Sequence, residues 1–164
     1  MAKKKKRRRR KNRFKPISEN QIIRINLDYT DEENDIDLRR NRYYLVTSFK
    51  TEKNNRLVIE LFVITTRKNP IAKIKNKFLR DKRFTLKYKI KELPSCLPNA
   101  SLINQHLLIT LRLESNKYRH HLCYTCPNFC LDPEEYIQIT NEHEEYWKGQ
   151  FGQPFLNSIE LEIF

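Results

Sequence analysis

Residues 56–66 read RLVIELFVITT, and most positions of this stretch are apolar. A strand that packs on one face alternates between apolar and polar side chains, whereas a strand buried on both faces is apolar almost throughout. The stretch therefore predicts a central strand of a sheet, and the rest of the fold is built from the segments around it.

Most of the surrounding chain alternates with a period of two, which is typical of half-buried strands. The clearest example is RFTLKYKIK, residues 83–91, in which apolar side chains would face the core while Lys87, Lys89 and Lys91 face solvent. Further strands are predicted over residues 21–29, 42–50, 107–113 and 157–164, with a weaker one over residues 119–124.

A helix is predicted after residue 69. Asn69 is a good helix cap, and Pro70 suits the first helical position because its missing N–H would have no partner there. Apolar side chains then recur at helical spacing through residue 79. The basic residues Lys73, Lys77 and Arg80 line the other faces of this helix.

A second helix is predicted to begin after Asp132 and to end near Lys148, where the cation suits the helix dipole. Its β-branched residues leave a short strand over residues 134–140 as the alternative. The acidic stretch TDEENDID, residues 30–37, predicts a loop.

Together these segments predict a mainly β protein, with an α+β arrangement as the variant. About seven strands would form an antiparallel sheet or a β-sandwich with one or two packed helices, because alternating apolar faces must be buried against another layer. The domain would cover residues 18–164 and follow a disordered basic arm over residues 1–17.

The arm is the strongest functional signal. Residues 1–15 hold eleven basic and no acidic residues, which excludes a folded segment through self-repulsion and favours binding to a polyanion. Such cations neutralise phosphates and release condensed counterions. The basic residues of the arm are Lys3, Lys4, Lys5, Lys6, Arg7, Arg8, Arg9, Arg10, Lys11, Arg13 and Lys15. A solvated solubility tail is the alternative, and binding to acidic lipid is less favoured because no second anchor is present.

Residues 38–95 are the second signal, with seventeen basic and four acidic residues. If the predicted strand and helix meet, Lys73, Lys77, Arg80, Lys87, Lys89 and Lys91 form a basic plateau, joined by Arg39, Arg40 and Arg42. Tyr43, Tyr44 or Tyr88 would lie nearby for base stacking. An ordinary solvated face is the alternative, as is pairing with the acidic segments 30–37 and 134–145.

The cysteines are the third signal. Cys123, Cys126 and Cys130 are closely spaced and Cys96 precedes them, so four thiolates could hold a structural zinc ion. The spacing lacks a second C-x-x-C pair, and buried free thiols are the alternative reading. No other cofactor is expected.

We expect a non-enzymatic protein that binds DNA or RNA, since the two glycines exclude the glycine-rich nucleotide-binding loops and no histidine–carboxylate pattern matches a nuclease. A coat-like structural protein of a virus or mobile element, whose arm neutralises packaged nucleic acid, is one alternative. A metal-dependent nuclease is another. We expect no membrane span, an intracellular location (nuclear or nucleolar in a eukaryote, otherwise cytoplasmic or virion-associated), and a sequence compatible with a homo-oligomer.

Overall fold

The computed structural model describes residues 17–33, 36–53, 56–65, 87–97, 100–114, 122–123, 130–148 and 158–163. These residues form the strands β1 (Ile22–Ile25), β2 (Thr30–Asp31), β3 (Ile36–Asp37), β4 (Arg42–Thr51), β5 (Arg56–Thr65), β6 (Lys87–Lys89), β7 (Leu102–Glu114), β8 (Leu122–Cys123) and β9 (Ser158–Ile163), and the helix α1 (Pro133–Lys148). Most of the basic arm and the predicted helix after Asn69 lie outside the described residues.

Seven strands form one sheet in the order β6-β7-β5-β4-β1-β8, with β9 also paired to β7. All pairs are antiparallel except β7 with β9, which is parallel. The prediction of a mainly β fold is confirmed: seven of the described strands form one mixed sheet with one packed helix, and β2 and β3 form a separate two-stranded sheet. β5 lies between β4 and β7, as expected for a strand that is apolar on both faces.

β7 is the longest strand and carries a wide bulge. Between the pair Leu61–Ile109 and the next pair, Val63–Asn104, β5 advances two positions while β7 advances five. β7 therefore has three extra residues at this point. The edge of β7 that faces away from β5 pairs with β6 before the bulge. After the bulge, the same edge pairs with β9.

Each face of the sheet carries its own hydrophobic cluster. The first cluster includes Tyr44, Leu61 and Ile109, whereas the second includes Leu45 and Phe62, and each of these side chains is at most 1% exposed. Successive residues of one strand point to opposite faces, which is why Leu61 and Phe62 belong to different clusters. We call the face of the second cluster the helix face, because α1 packs on it. The face of the first cluster is called the open face because α1 does not cover it, although its apolar side chains are buried, with Ile17, Ile36 and Leu38 among them.

α1 confirms the second predicted helix, and the alternative strand over residues 134–140 is wrong. Ile139 is fully buried in the second cluster, and Asp132 caps the helix by accepting a hydrogen bond from the Glu135 backbone N–H at 3.4 Å. The cap and the buried stripe outweigh the local β-branched preference, because helical stability in proteins comes mainly from packing. No helix in the described part of the chain is long and apolar enough to cross a membrane.

The acidic segment 30–37 is not a simple loop, and that prediction is wrong. β2 and β3 pair as a short antiparallel hairpin, with Thr30 opposite Asp37. Ile36 and Leu38 are buried in the first cluster, and the Leu38 N–H donates to the Tyr29 carbonyl at 2.7 Å. Two apolar side chains in an acidic stretch are enough to anchor it, because their burial fixes the register of the hairpin.

Candidate nucleic-acid interface

The register of the sheet brings basic residues from distant segments to one end. Lys89 on β6 lies opposite Leu102 on β7, which lies opposite Thr65, the last residue of β5. β4 and β5 are paired as far as Tyr43, so Arg42 is the next residue at the same end of the neighbouring strand. Three strand spacings separate Arg42 from Lys89, or about 14 Å between their backbones.

These basic residues also share a face. Arg42 lies opposite Ile25 of the first cluster, so it is on the open face. Tyr88 belongs to the second cluster and is directed toward α1, which leaves its neighbours Lys87 and Lys89 on the open face. Both lysines are exposed. We use the name "basic end" for the set Arg39, Arg40, Arg42, Lys87, Lys89 and Lys91.

Arg39 is held by an acidic partner. Its guanidinium donates to both carboxylate oxygens of Asp37, at 3.0 and 3.1 Å, and its backbone N–H donates to the same group at 3.2 Å. These hydrogen bonds hold the pKa of Asp37 far below its usual range. Because both side chains are more than half exposed, Arg39 keeps access to solvent, but part of its charge is already compensated.

The remaining cations of the basic end are less compensated. Among the described residues, no carboxylate forms an ion pair with Arg40, Lys87, Lys89 or Lys91. The contact of Glu135 is with the backbone N–H of Lys91, at 2.5 Å, and it leaves the ammonium group uninvolved. These four side chains therefore carry charge that no described carboxylate compensates.

The opposite end of the sheet is different, because its basic residues are interleaved with acids. Arg112 on β7 forms ion pairs with Glu160 on β9 at 3.2 Å and with Glu52 at 3.9 Å. On the face that carries Arg112, Lys50 lies opposite Val58, and Arg112 lies opposite both Val58 and Glu162, so a carboxylate lies beside the cations of this row. Arg112 is thus paired at this end, whereas Lys50 and Lys53, like Lys87 and Lys89, form no ion pair with a described residue.

Two of the three tyrosines predicted to stack on nucleic-acid bases are too deeply buried to do so. Tyr44 is completely buried and Tyr88 is 6% exposed, so neither ring face can receive a base. Tyr43 is half-buried on the helix face, where the Arg24 guanidinium lies 5.5 Å from the centre of its ring. Apolar and polar residues alternate along β6, and this pattern already directs Tyr88 toward the core. The sequence itself therefore argues against a stacking role for this ring.

The segment that follows the basic arm, residues 17–20, packs against the sheet and forms hydrogen bonds with it. Ile17 is buried in the first cluster, and the backbone N–H of Asn20 donates to the Val46 carbonyl at 2.8 Å. The Asn20 amide bridges to Leu131, donating to its carbonyl at 2.8 Å and accepting from its N–H at 3.0 Å. Asn20 has a φ of 66°, which asparagine tolerates better than most residues. Residues 1–15 are therefore tethered to a fixed point near the middle of β4.

Several residues that the sequence predicts to bind nucleic acid lie outside the part of the chain that the structure describes. Lys73, Lys77 and Arg80, together with every basic residue of the arm, lie outside the described residues. The segment that contains the first three connects Thr65 to Lys87, and both of these residues belong to the same end of the sheet. The sequence prediction for those residues stays a prediction.

The cysteine cluster is only partly described. Cys123 lies opposite Arg24 on β1, and Cys130 forms a bridge with Gln21, so the two cysteines flank the same strand. Cys96 is partly buried beside the second cluster, whereas Cys130 is exposed. Cys126 lies outside the described residues, among which no group of three metal-ligating side chains occurs. The structural zinc ion also stays a prediction.

Sequence reasoning missed a polar network beneath α1. Gln105, in the β7 bulge, is completely buried, and its amide donates to the Ile139 carbonyl at 2.9 Å and to Glu142 at 3.2 Å. The Nδ1 atom of His143 lies 2.8 Å from the Gln105 carbonyl, and its ring packs edge-on against Phe62. The network positions the helix on the sheet, and no sequence pattern marks a bulge of this kind.

Comparison with protein-family models, with characterised proteins and with solved structures finds no match to this chain. The function must therefore be inferred from the residues themselves.

Proposed function

We propose that this protein binds nucleic acid without catalysing a reaction on it, using the basic arm for most of the affinity and the basic end as a second, fixed contact. The observation that carries the proposal is the arm, with eleven cations and no acid in fifteen residues. A polymer with a regular array of negative charges is the partner that such a run favours most.

The basic end supports the proposal because its cations are grouped rather than scattered. Lys87, Lys89 and Arg42 share a face and an end of the sheet, although they come from strands more than forty residues apart in sequence. At the opposite end, Arg112 forms ion pairs with Glu52 and Glu160. A surface that served only for solubility would intersperse both signs of charge rather than group its cations.

The two contacts can act on one partner. β4 places Val46, which anchors the base of the arm, about 13 Å from Arg42 along the strand. The twelve residues that separate Lys3 from Lys15 extend up to about 40 Å when fully stretched. The arm is therefore long enough to hold a polymer that also lies on the basic end.

The test is a matched pair of double variants in the full chain. Lys87→Gln with Lys89→Gln removes two charges from the basic end, whereas Lys50→Gln with Lys53→Gln removes two exposed lysines from the other end. Anisotropy titration with a labelled duplex should show a loss of about tenfold for the first pair and little for the second. Equal losses would mean that only net charge matters, and absence of binding by the unmodified chain would refute the function.

A further inference from the structure

Building on the proposed function, we infer that the basic end binds the phosphate backbone of double-stranded nucleic acid and does not read base sequence. The binding site is centred on Lys87 and Lys89, which are exposed and lie on the open face. Three independent features of the described residues support this partner.

The first feature is the position of the aromatic rings. Proteins that bind single strands use stacked bases as a major source of affinity, about 1–3 kcal/mol per base. Trp147 is the single exposed aromatic side chain among the described residues, and it lies on α1, on the helix face. Glu144 and Glu145 precede it, and Lys148 beside it pairs with Glu145. Within the described part of the chain, the open face at the basic end therefore carries charge and no exposed aromatic side chain.

The second feature is the state of the polar side chains between the cations. The Asn104 amide, opposite Lys87, donates to the Val63 carbonyl at 3.1 Å and to the Thr65 hydroxyl at 2.8 Å. Both amide hydrogens are thus engaged within the sheet. An amide that reads adenine needs its NH₂ group free for a bidentate contact, so Asn104 cannot serve this purpose.

The third feature is the chemistry of the cations. Lysine is a flexible point charge that suits phosphate, whereas base reading in the major groove depends mainly on the planar fork of arginine or on amides. Lys87 and Lys89 supply the charge of this site, and the guanidinium of Arg39 is held by Asp37. A duplex carries about twice the linear charge density of one of its strands, so a purely cationic surface favours the duplex.

The experiment compares one duplex with each of its separated strands, using the full chain at fixed salt. We expect the duplex to bind at least about tenfold more tightly than either strand, which corresponds to about 1.4 kcal/mol. A second duplex of reversed base composition should differ by less than about threefold. Parallel titrations with DNA and RNA duplexes show which of the two backbones is preferred.

The variants assign the preference to the basic end. Lys87→Gln with Lys89→Gln should reduce the ratio between duplex and single strand, while Lys50→Gln with Lys53→Gln leaves it unchanged. Stronger binding to a single strand, or a preference of tenfold or more for one sequence, would overturn this inference and leave the proposed function intact. Failure of every probe to bind would refute the proposed function itself.

Discussion

Asp37 shows how a single residue sets the charge that the basic end presents. Its carboxylate engages both guanidinium and backbone of Arg39, and nearby Asp28 and Glu32 add to the negative potential there. The hairpin that carries Asp37 is acidic throughout, yet burial of Ile36 and Leu38 keeps it beside the cations. The acidic segment thus offsets part of the basic surface.

Replacing Asp37 with Asn should release Arg39 and strengthen binding to duplex by about threefold, since a charge-assisted pair no longer competes with phosphate. The control is Glu144→Gln, which removes the same charge from an exposed position on α1. Anisotropy titration at low and moderate salt measures both variants. A gain of equal size in the control would show that net charge alone is responsible.

The buried tyrosines give the fold a defined response to alkaline pH. Burial, reinforced by the hydrogen bond to Glu135 at 3.1 Å, raises the pKa of Tyr88 to about 12. In the unfolded chain a tyrosine ionises near pH 10, so the unfolded state loses its proton first. The contribution of Tyr88 to the free energy of unfolding is therefore fully present below about pH 10, and it is lost as the pH rises toward about 12.

Urea unfolding at about pH 9 and about pH 11 should consequently show a lower free energy of unfolding at the higher pH. Tyr88→Phe removes the ionisable group, and the difference between the two pH values should become smaller in that variant. Tyr29→Phe, at a partly exposed site, serves as the comparison variant. An identical pH response in all three proteins would contradict the assignment to Tyr88.

At the scale of secondary-structure elements, α1 shows how one buried apolar residue holds a helix against the sheet. Ile139 is fully buried against the sheet, whereas Ile137, two residues earlier, is 57% exposed. Ile139→Ala should lower the free energy of unfolding by about 2–5 kcal/mol, because it removes buried methyl groups and leaves a cavity. Ile137→Ala should change it by no more than about 0.5 kcal/mol. Denaturant melts of the two variants provide the measurement, and equal effects would mean that α1 packs differently.

The segment between β8 and α1 is the element that a structural metal would stabilise. The sequence predicts one zinc ion held by Cys96, Cys123, Cys126 and Cys130, and zinc analysis of the purified chain should find one equivalent. Cys126→Ser should lose the ion and lower the thermal midpoint. A chain without metal, whose melting does not change when a chelator is added, would show that the cysteines are free thiols.

At the scale of the molecule, affinity should divide between the arm and the folded domain. Deleting residues 1–15 removes eleven cations, and full engagement of a duplex by these would contribute a salt slope of about −10. The truncated protein should bind more weakly and respond much less to salt. Its thermal midpoint should stay the same, because Ile17 and the Asn20 contacts remain. An unchanged salt slope would mean that the arm does not contact the polymer.

The sequence was informative wherever periodicity reports burial directly. The largely apolar run of β5 predicts its place between two partners, and alternation in β6 predicts which side Tyr88 faces. The capping residue Asp132 similarly marks the start of α1. These are local signals, since each depends on the side chains of one segment and their spacing along it.

Charge and apolar pattern along the chain determined the strand-rich class, the helix after Asp132 and the concentration of cations in the arm, because these properties are carried by consecutive residues. Tertiary structure alone decided which cations meet. The register that aligns Arg42 with Lys89, the parallel pairing of β9, the bulge at Gln105 and the hairpin beside Arg39 all depend on contacts between distant segments. Strand partners are chosen by the packing of the whole core, and no single segment contains that information.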